Sequence, residues 1–210
     1  MELKVTNLSC NRGGRAVLGG LSFSLAAGQV MLLRGPNGVG KSTLLRALAG
    51  LVPCTGQIAL DARQLGAEDW ADQIAYAGHL DAIKPQLSLA ENLEFWAGAY
   101  GGNAQKALVA FDLMPLANRL AGACSAGQKR RLGLARLALS ARTLWLLDEP
   151  STALDSAATA LLAAQIIAHS QAGGMALIAT HTDLPLAADT LTLSAPTQPV
   201  DDPFLDGAFS

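Results

Sequence analysis

Nowhere in the 210 residues is there a run of about 20 uninterrupted apolar side chains, the length a helix needs to cross a bilayer. The nearest approach, residues 132–147, is broken by Arg136 and Arg142, so direct membrane insertion is not expected. The opening MELKVTNL has no basic segment leading into an apolar one; no secretory signal is expected, and the chain is predicted to stay in the cytosol. Positive charge is not in excess either. Fifteen Lys and Arg stand against 17 Asp and Glu, for a formal net charge of −2. This balance gives no global attraction to nucleic acid or to anionic lipid. Nucleic acid is therefore not an expected partner, and any attachment to a membrane has to run through another protein. Cys10, Cys54 and Cys124 form neither CxxC nor CxxCH, and His79, His169 and His181 show no close ligand spacing. Reduced, mostly buried thiols are expected, with no zinc or haem centre. No internal repeat is present.

What the chain does have is GPNGVGKST, from Gly35 to Thr43, after the apolar run Val30-Met31-Leu32-Leu33 and before Leu44, Leu45 and Leu48. A continuous apolar run suits a parallel strand covered on both faces, and the leucine spacing suits a helix. Between them, Gly35, Gly38 and Gly40 allow the backbone N–H groups to converge on phosphate oxygens. Pro36, Asn37, Val39 and Thr43 complete this Walker A loop. Lys41 supplies a point charge for the β- and γ-phosphates, and the Ser42 hydroxyl is the expected Mg²⁺ ligand. The anion would also meet a helix N-terminus, where unpaired N–H groups favour negative charge.

The length fits a single domain spanning 1–210 that carries a subdomain, not two complete nucleotide-binding domains. Partial alternation over 3–8 and 17–25, about the polar cluster at 11–15, predicts an antiparallel hairpin. A short strand is predicted at 56–60; residues 68–80 are ambiguous, with 74–77 suited to a buried strand ending at Gly78-His79. From Ser88 the pattern turns helical: 91–100, 104–114, and a long helix beginning near Ser125. Leu93, Trp96, Leu108, Phe111 and Leu113 are expected in the core. Two further apolar strands, 144–147 and 175–179, end in Asp148-Glu149 and Thr180-His181. In open parallel sheets ligands sit beyond the carboxyl ends of the strands, where both pairs and the Walker A loop fall. Beyond Asp189 a short strand and a loosely attached end are expected.

Leu144 to Pro150 is a Walker B pattern: four apolar residues, then Asp148 to hold Mg²⁺ through water, then Glu149 to polarise an attacking water. Adjacent carboxylates at a buried strand end need positive charge nearby, which Lys41 and a metal would provide. Just upstream, Cys124-Ser125-Ala126-Gly127-Gln128 followed by Lys129-Arg130-Arg131 closely resembles the LSGGQ signature of ABC-type ATPases. The run 151–155 resembles their D-loop, and His181 their switch histidine. The resemblance spans roughly 3–193. It implies an α/β P-loop NTPase of ABC type: a RecA-like parallel-sheet core, an N-terminal antiparallel β subdomain, and an inserted α-helical signature subdomain at roughly 85–140. It also implies a head-to-tail dimer with a second copy, in which ATP lies between one Walker A loop and Ser125, Gly127 and Gln128 of the other chain. Glu149, His181 and Lys41 are then the expected catalytic residues.

Two positions depart from the general pattern. Arg12 falls where an adenine-stacking aromatic is usual, and His79 where a glutamine is usual. A guanidinium can stack on adenine in place of a ring. His79 is counted among the nucleotide-binding residues and is also expected to join Lys84, Phe95 and Trp96 in a docking surface. GHLDAIKP at 78–85, ENLEFW at 91–96 and the signature together resemble one subfamily, the ATPase subunit of the bacterial cytochrome c maturation system. That resemblance implies integral membrane permease partners and a location on the cytoplasmic face of the inner membrane. It implies a motor for haem export, or for release of haem with its periplasmic chaperone. The alternative is a soluble ABC ATPase of iron–sulfur assembly with no transmembrane partner.

Overall fold

The computed structural model describes residues 1–195. Its first element, β1 (Glu2–Arg12), buries Leu3, Val5, Leu8 and Cys10 against β2 (Arg15–Ala26), with Gly13 and Gly14 closing the hairpin. The parallel core begins with β3 (Val30–Arg34), which leads through the glycine-rich loop into α1 (Lys41–Leu48). β4 (Thr55–Leu60) returns to pair antiparallel with β1 and with the short β5 (Arg63–Gln64). The ambiguous stretch before β6 (Ile74–Ala77) packs through Trp70, which is buried and donates its indole N–H to Leu48 O at 3.0 Å.

The helical segment holds α2 (Leu89–Tyr100), α3 (Ala104–Ala110) and α4 (Ala126–Ala135). β7 (Leu144–Asp148), α5 (Ser156–Gln171), β8 (Met175–Ala179) and β9 (Asp189–Thr192) complete the described chain. Two sheets result: an antiparallel one in the order β2-β1-β4-β5 and a parallel one in the order β6-β7-β8-β3-β9. Both faces of the parallel sheet are covered. Along β7, Leu144 and Leu146 face the antiparallel sheet and α1, while Trp145 and Leu147 face the helical side. That double burial is why this strand is apolar at consecutive positions instead of alternating.

Two helices are shorter than their sequences predict. α3 stops at Ala110 because Asp112 adopts φ 51° and Pro115 follows, and Arg131 Nη1 holds the freed carbonyls of Phe111 and Asp112. α4 tightens into a 3-10 turn over Arg136–Leu139, after which Ser140 Oγ accepts from Arg142 N; the hydroxyl offers the backbone an alternative to helix. Leu93, Leu108, Phe111 and Leu113 are buried as expected. Trp96 is only half-buried: its indole N–H reaches Ala82 O and Arg136 lies over its ring. The expected loose end of the chain lies outside the described residues.

Candidate functional site

The chain turns from β3 into α1 at Gly40, whose φ of 109° and tight packing against Leu18 and Val17 leave no room for a Cβ. No side chain caps α1, so its first N–H groups remain free to meet an anion. Lys41, nearly buried, donates from Nζ to Gly35 O at 2.7 Å and Pro36 O at 3.0 Å. One residue on, Ser42 Oγ donates to Asp148 Oδ1 at 3.0 Å, linking the loop to the end of β7.

Asp148 is 1 % exposed, and Glu149 follows at φ 47°, a backbone state uncommon for a residue with a side chain. Each carboxylate faces one histidine. His79 Nε2 lies 3.5 Å from Asp148 Oδ2, and His181 Nε2 lies 3.4 Å from Glu149 Oε1, both without hydrogen-bond geometry. These two buried oxygens therefore have no hydrogen-bond partner among the described residues. Orphaned carboxylate oxygens are costly to bury. Beside Ser42 Oγ they suit a hydrated divalent cation and an ordered water, the donor chemistry a hard oxygen-seeking ion requires. His181 is held in place by its neighbours: its backbone N–H donates to Glu149 Oε2 at 3.4 Å, and Arg34 ties down the loop through Thr180 O and Asp183.

One cleft of about 550 Å³ collects these groups: Arg12, Val17, Asn37, Gly38, Gly40, Lys41, Ser42, Thr43, His79, Asp148, Glu149, Thr152 and His181 line it. The residues brought together thus come from the hairpin, the glycine loop and the ends of β6, β7 and β8. Arg12 is exposed at the rim with Val17 beside it. The signature residues are not in this cleft. Ser125, Gly127 and Gln128 line a second hollow with Arg131, Ala153, Leu154, Asp155 and Ala158. There Ser125 and Gln128 form a reciprocal cap at the start of α4, and a Cβ on Gly127 would lie 2.8 Å from Ala153 O.

The expected docking surface is divided. His79 turns into the cleft toward Asp148, whereas Lys84 lies over Phe95 in a separate surface cluster that continues through Trp96 and Tyr100. Arg136 and Arg142 cover the last two rings. Beside it, Asn92 organises the loop before α2: its amide accepts from Lys84 N and donates to the carbonyls of Lys84, Leu87 and Ser88. Sequence reasoning also missed Arg130, which belongs to the basic run Lys129-Arg130-Arg131 and is buried. Its position three before Gly133 and four before Leu134, both buried, is the signal that could have placed it on the inner face of α4.

The ABC transporter family model matches residues 18–152, a span that takes in the glycine loop, the signature and the end of β7. The "Cytochrome c biogenesis ATP-binding export protein CcmA" of Ruegeria pomeroyi is 54 % identical over the whole of both chains. The chain belongs to that family of ABC ATPases. Its counterpart of the same name from Cereibacter sphaeroides is 49 % identical over 97 % of this chain and 98 % of its own. Among solved structures, an ATP-binding subunit of an ABC transporter superposes with a TM-score of 0.77 at 27 % identity, covering 86 % of this chain and 80 % of its own. A putative ABC transporter ATP-binding protein from Pyrococcus furiosus shares the fold, with a TM-score of 0.81 over 92 % of this chain and 98 % of its own. The protein is an ATPase with the P-loop ABC fold expected from the sequence.

Proposed function

We propose that this ATPase is the motor subunit of an inner-membrane ABC complex for c-type cytochrome maturation, coupling hydrolysis to haem export or to delivery of haem with a periplasmic chaperone. The observation that carries the catalytic half is the pair of partnerless carboxylate oxygens on Asp148 and Glu149, set between Ser42 and His181 below the glycine loop. ATP enters with its phosphates against residues 35–43, Lys41 facing the β- and γ-phosphates and Arg12 stacking at the rim. Glu149 holds a water in line with the γ-phosphorus and accepts its proton. As the water oxygen bonds to that phosphorus, the bond to the leaving β-phosphate oxygen breaks, and His181 donates toward the charge that builds on the γ-phosphate. Magnesium, bound by Ser42 and through water by Asp148, would supply charge neutralisation across the β- and γ-phosphates. His79 faces the same carboxylate from the opposite side.

Ser125, Gly127 and Gln128 serve the ATP of a second copy, a reading supported by their lying in a hollow apart from the cleft. The whole chain acts as one domain, with residues 85–140 as its helical part. Among the described residues no helix is long and apolar enough to cross a membrane, so we infer that a permease subunit holds the protein at the cytoplasmic face. Phe95, 49 % exposed under Lys84, and Leu80, 86 % exposed, offer that subunit an apolar contact. The cofactor-assembly alternative has no observation in its favour. The test is affinity capture of the full chain from detergent-solubilised inner membranes, with haem staining of c-type cytochromes in cells carrying Lys41→Ala. A multi-spanning companion and lost haem staining are expected. Purely soluble companions, or normal c-type cytochromes with the alanine variant, would overturn the proposal.

A further inference from the structure

Arg130 sits on α4 five residues after Ser125 and is 5 % exposed. A guanidinium has five N–H donors, and here all five are used. Nε donates to Pro150 O at 3.1 Å, and Nη2 donates to Asp148 O at 3.3 Å and Glu149 O at 2.8 Å. Nη1 donates to Gly78 O and to Asp81 Oδ1, both at 2.9 Å. Three consecutive carbonyls of the chain leaving β7 thus converge on one side chain. The middle one belongs to Glu149, whose left-handed backbone needs an external hold because a Cβ disfavours it. The other two bonds secure the loop that carries His79. One turn further along α4, Gly133 meets that same loop so closely that a Cβ would lie 2.7 Å from Asp81 Cβ.

We propose that Arg130 is a positioning residue for hydrolysis, fixing the backbone turn that aims the Glu149 carboxylate and locking the signature helix and the His79 loop to it. The inference rests on Glu149 as the group that holds the attacking water. Rotating that turn would move the carboxylate off His181, whose backbone N–H donates to Oε2 and whose ring Nε2 lies 3.4 Å from Oε1. Because Ser125 and Arg130 share one short helix, a displacement of the signature end is transmitted to Glu149 through these bonds. Arg130 makes no bond to the glycine loop or to Arg12 itself, so the larger effect is expected on the chemical step.

The test is a double-mutant cycle on the full-length protein, with single-turnover hydrolysis of labelled ATP and a separate ATP-binding titration. Arg130→Met should lower kcat at least about tenfold while the KM for ATP stays within about threefold. Arg130→Lys, which keeps the charge and up to three donors, should recover part of the loss. In the Glu149→Gln background, Arg130→Met should change the residual rate by less than about threefold, since the carboxylate it aims is gone. A residue that only supports the fold would lower both backgrounds by the same factor and weaken ATP binding as well; that outcome overturns the inference, as does an Arg130→Met protein within about threefold of wild type. Should the Met variant not fold, the same cycle with Arg130→Lys decides between the two results. Wild-type hydrolysis by Glu149→Gln alone would refute the role of Glu149 itself, a failure distinguishable from equal losses in the cycle.

Discussion

Replacing Glu149 by Gln changes one atom of a side chain whose surroundings are otherwise fixed. The amide has the same shape, so the backbone at φ 47°, the bond from Arg130 to the Glu149 carbonyl and the approach of His181 all persist. What is lost is a negative charge and a proton acceptor beside the γ-phosphate. A positioned base is worth about 10²–10⁴ in rate, equivalent to about 3–5 kcal/mol of barrier at 1.36 kcal/mol per decade. The fold should not suffer, since Oε1 is buried without a hydrogen-bond partner and an amide removes the ionised group from that position. ATP affinity should stay within about threefold, because Lys41 and the loop amides are untouched. The expected result is phosphate release reduced at least 100-fold, with unchanged ATP binding and an ATP-bound dimer long-lived enough to isolate by gel filtration. Steady-state phosphate release within about tenfold of wild type would refute the assignment of Glu149 as the base.

Two further predictions probe the scaffold. Gly133→Ala brings a Cβ within 2.8 Å of Asp81 O as well as onto its Cβ; overpacking of this kind costs about 1–3 kcal/mol, and for a chain of this size each kcal/mol lowers the melting temperature by about 2–4 °C. A thermal melt unchanged from wild type would show that the loop yields freely. Burial holds the His169 imidazole below its ordinary value of 6.5, against the carbonyls of Met175 and Thr143 that its Nε2 faces at 3.2 and 3.1 Å. The unfolded chain therefore takes up the proton first as pH falls below about 6.5, and stability drops with acidification until the folded ring also protonates. His169→Phe, which can keep the stack on Trp145 at 4.0 Å, should flatten that part of the stability curve in urea titrations between pH 5 and 7; an identical slope in the variant would place the proton uptake elsewhere.

The apolar strands of the parallel sheet and the cleft at their carboxyl ends were readable from the chain because each apolar run is bounded by polar chemistry of one kind. Leu144 to Leu147 followed by Asp148-Glu149, and 175–179 followed by Thr180-His181, announce buried strands ending at a shared site. The interior of the helical segment was less legible. Helix lengths failed at Asp112 and Ser140, where short polar side chains and a left-handed residue end the helix in ways a hydrophobic period does not register. Arg130 was passed over as one member of a basic run, and only the geometry reveals the carbonyls and the Asp81 carboxylate that accept its donors. His79 was grouped with Lys84 and Phe95 through closeness in sequence; the loop held by Asn92 turns between them, so one enters the cleft while the others stay outside. Its partner Asp148 is 69 positions away, beyond the reach of any local pattern.

Lys41 offers its ammonium group to two carbonyls of the very loop it closes. The loop is therefore a hollow with its own occupant, whose shape is kept by an internal tether. Nucleotide does not have to create the cradle, so its binding carries little cost of ordering. It must instead win the ammonium from Gly35 and Pro36, so the net gain is the difference between phosphate and carbonyl as acceptors. Such an exchange favours a phosphate group carrying two charges over weaker anions, a selectivity that comes from competition and not from size.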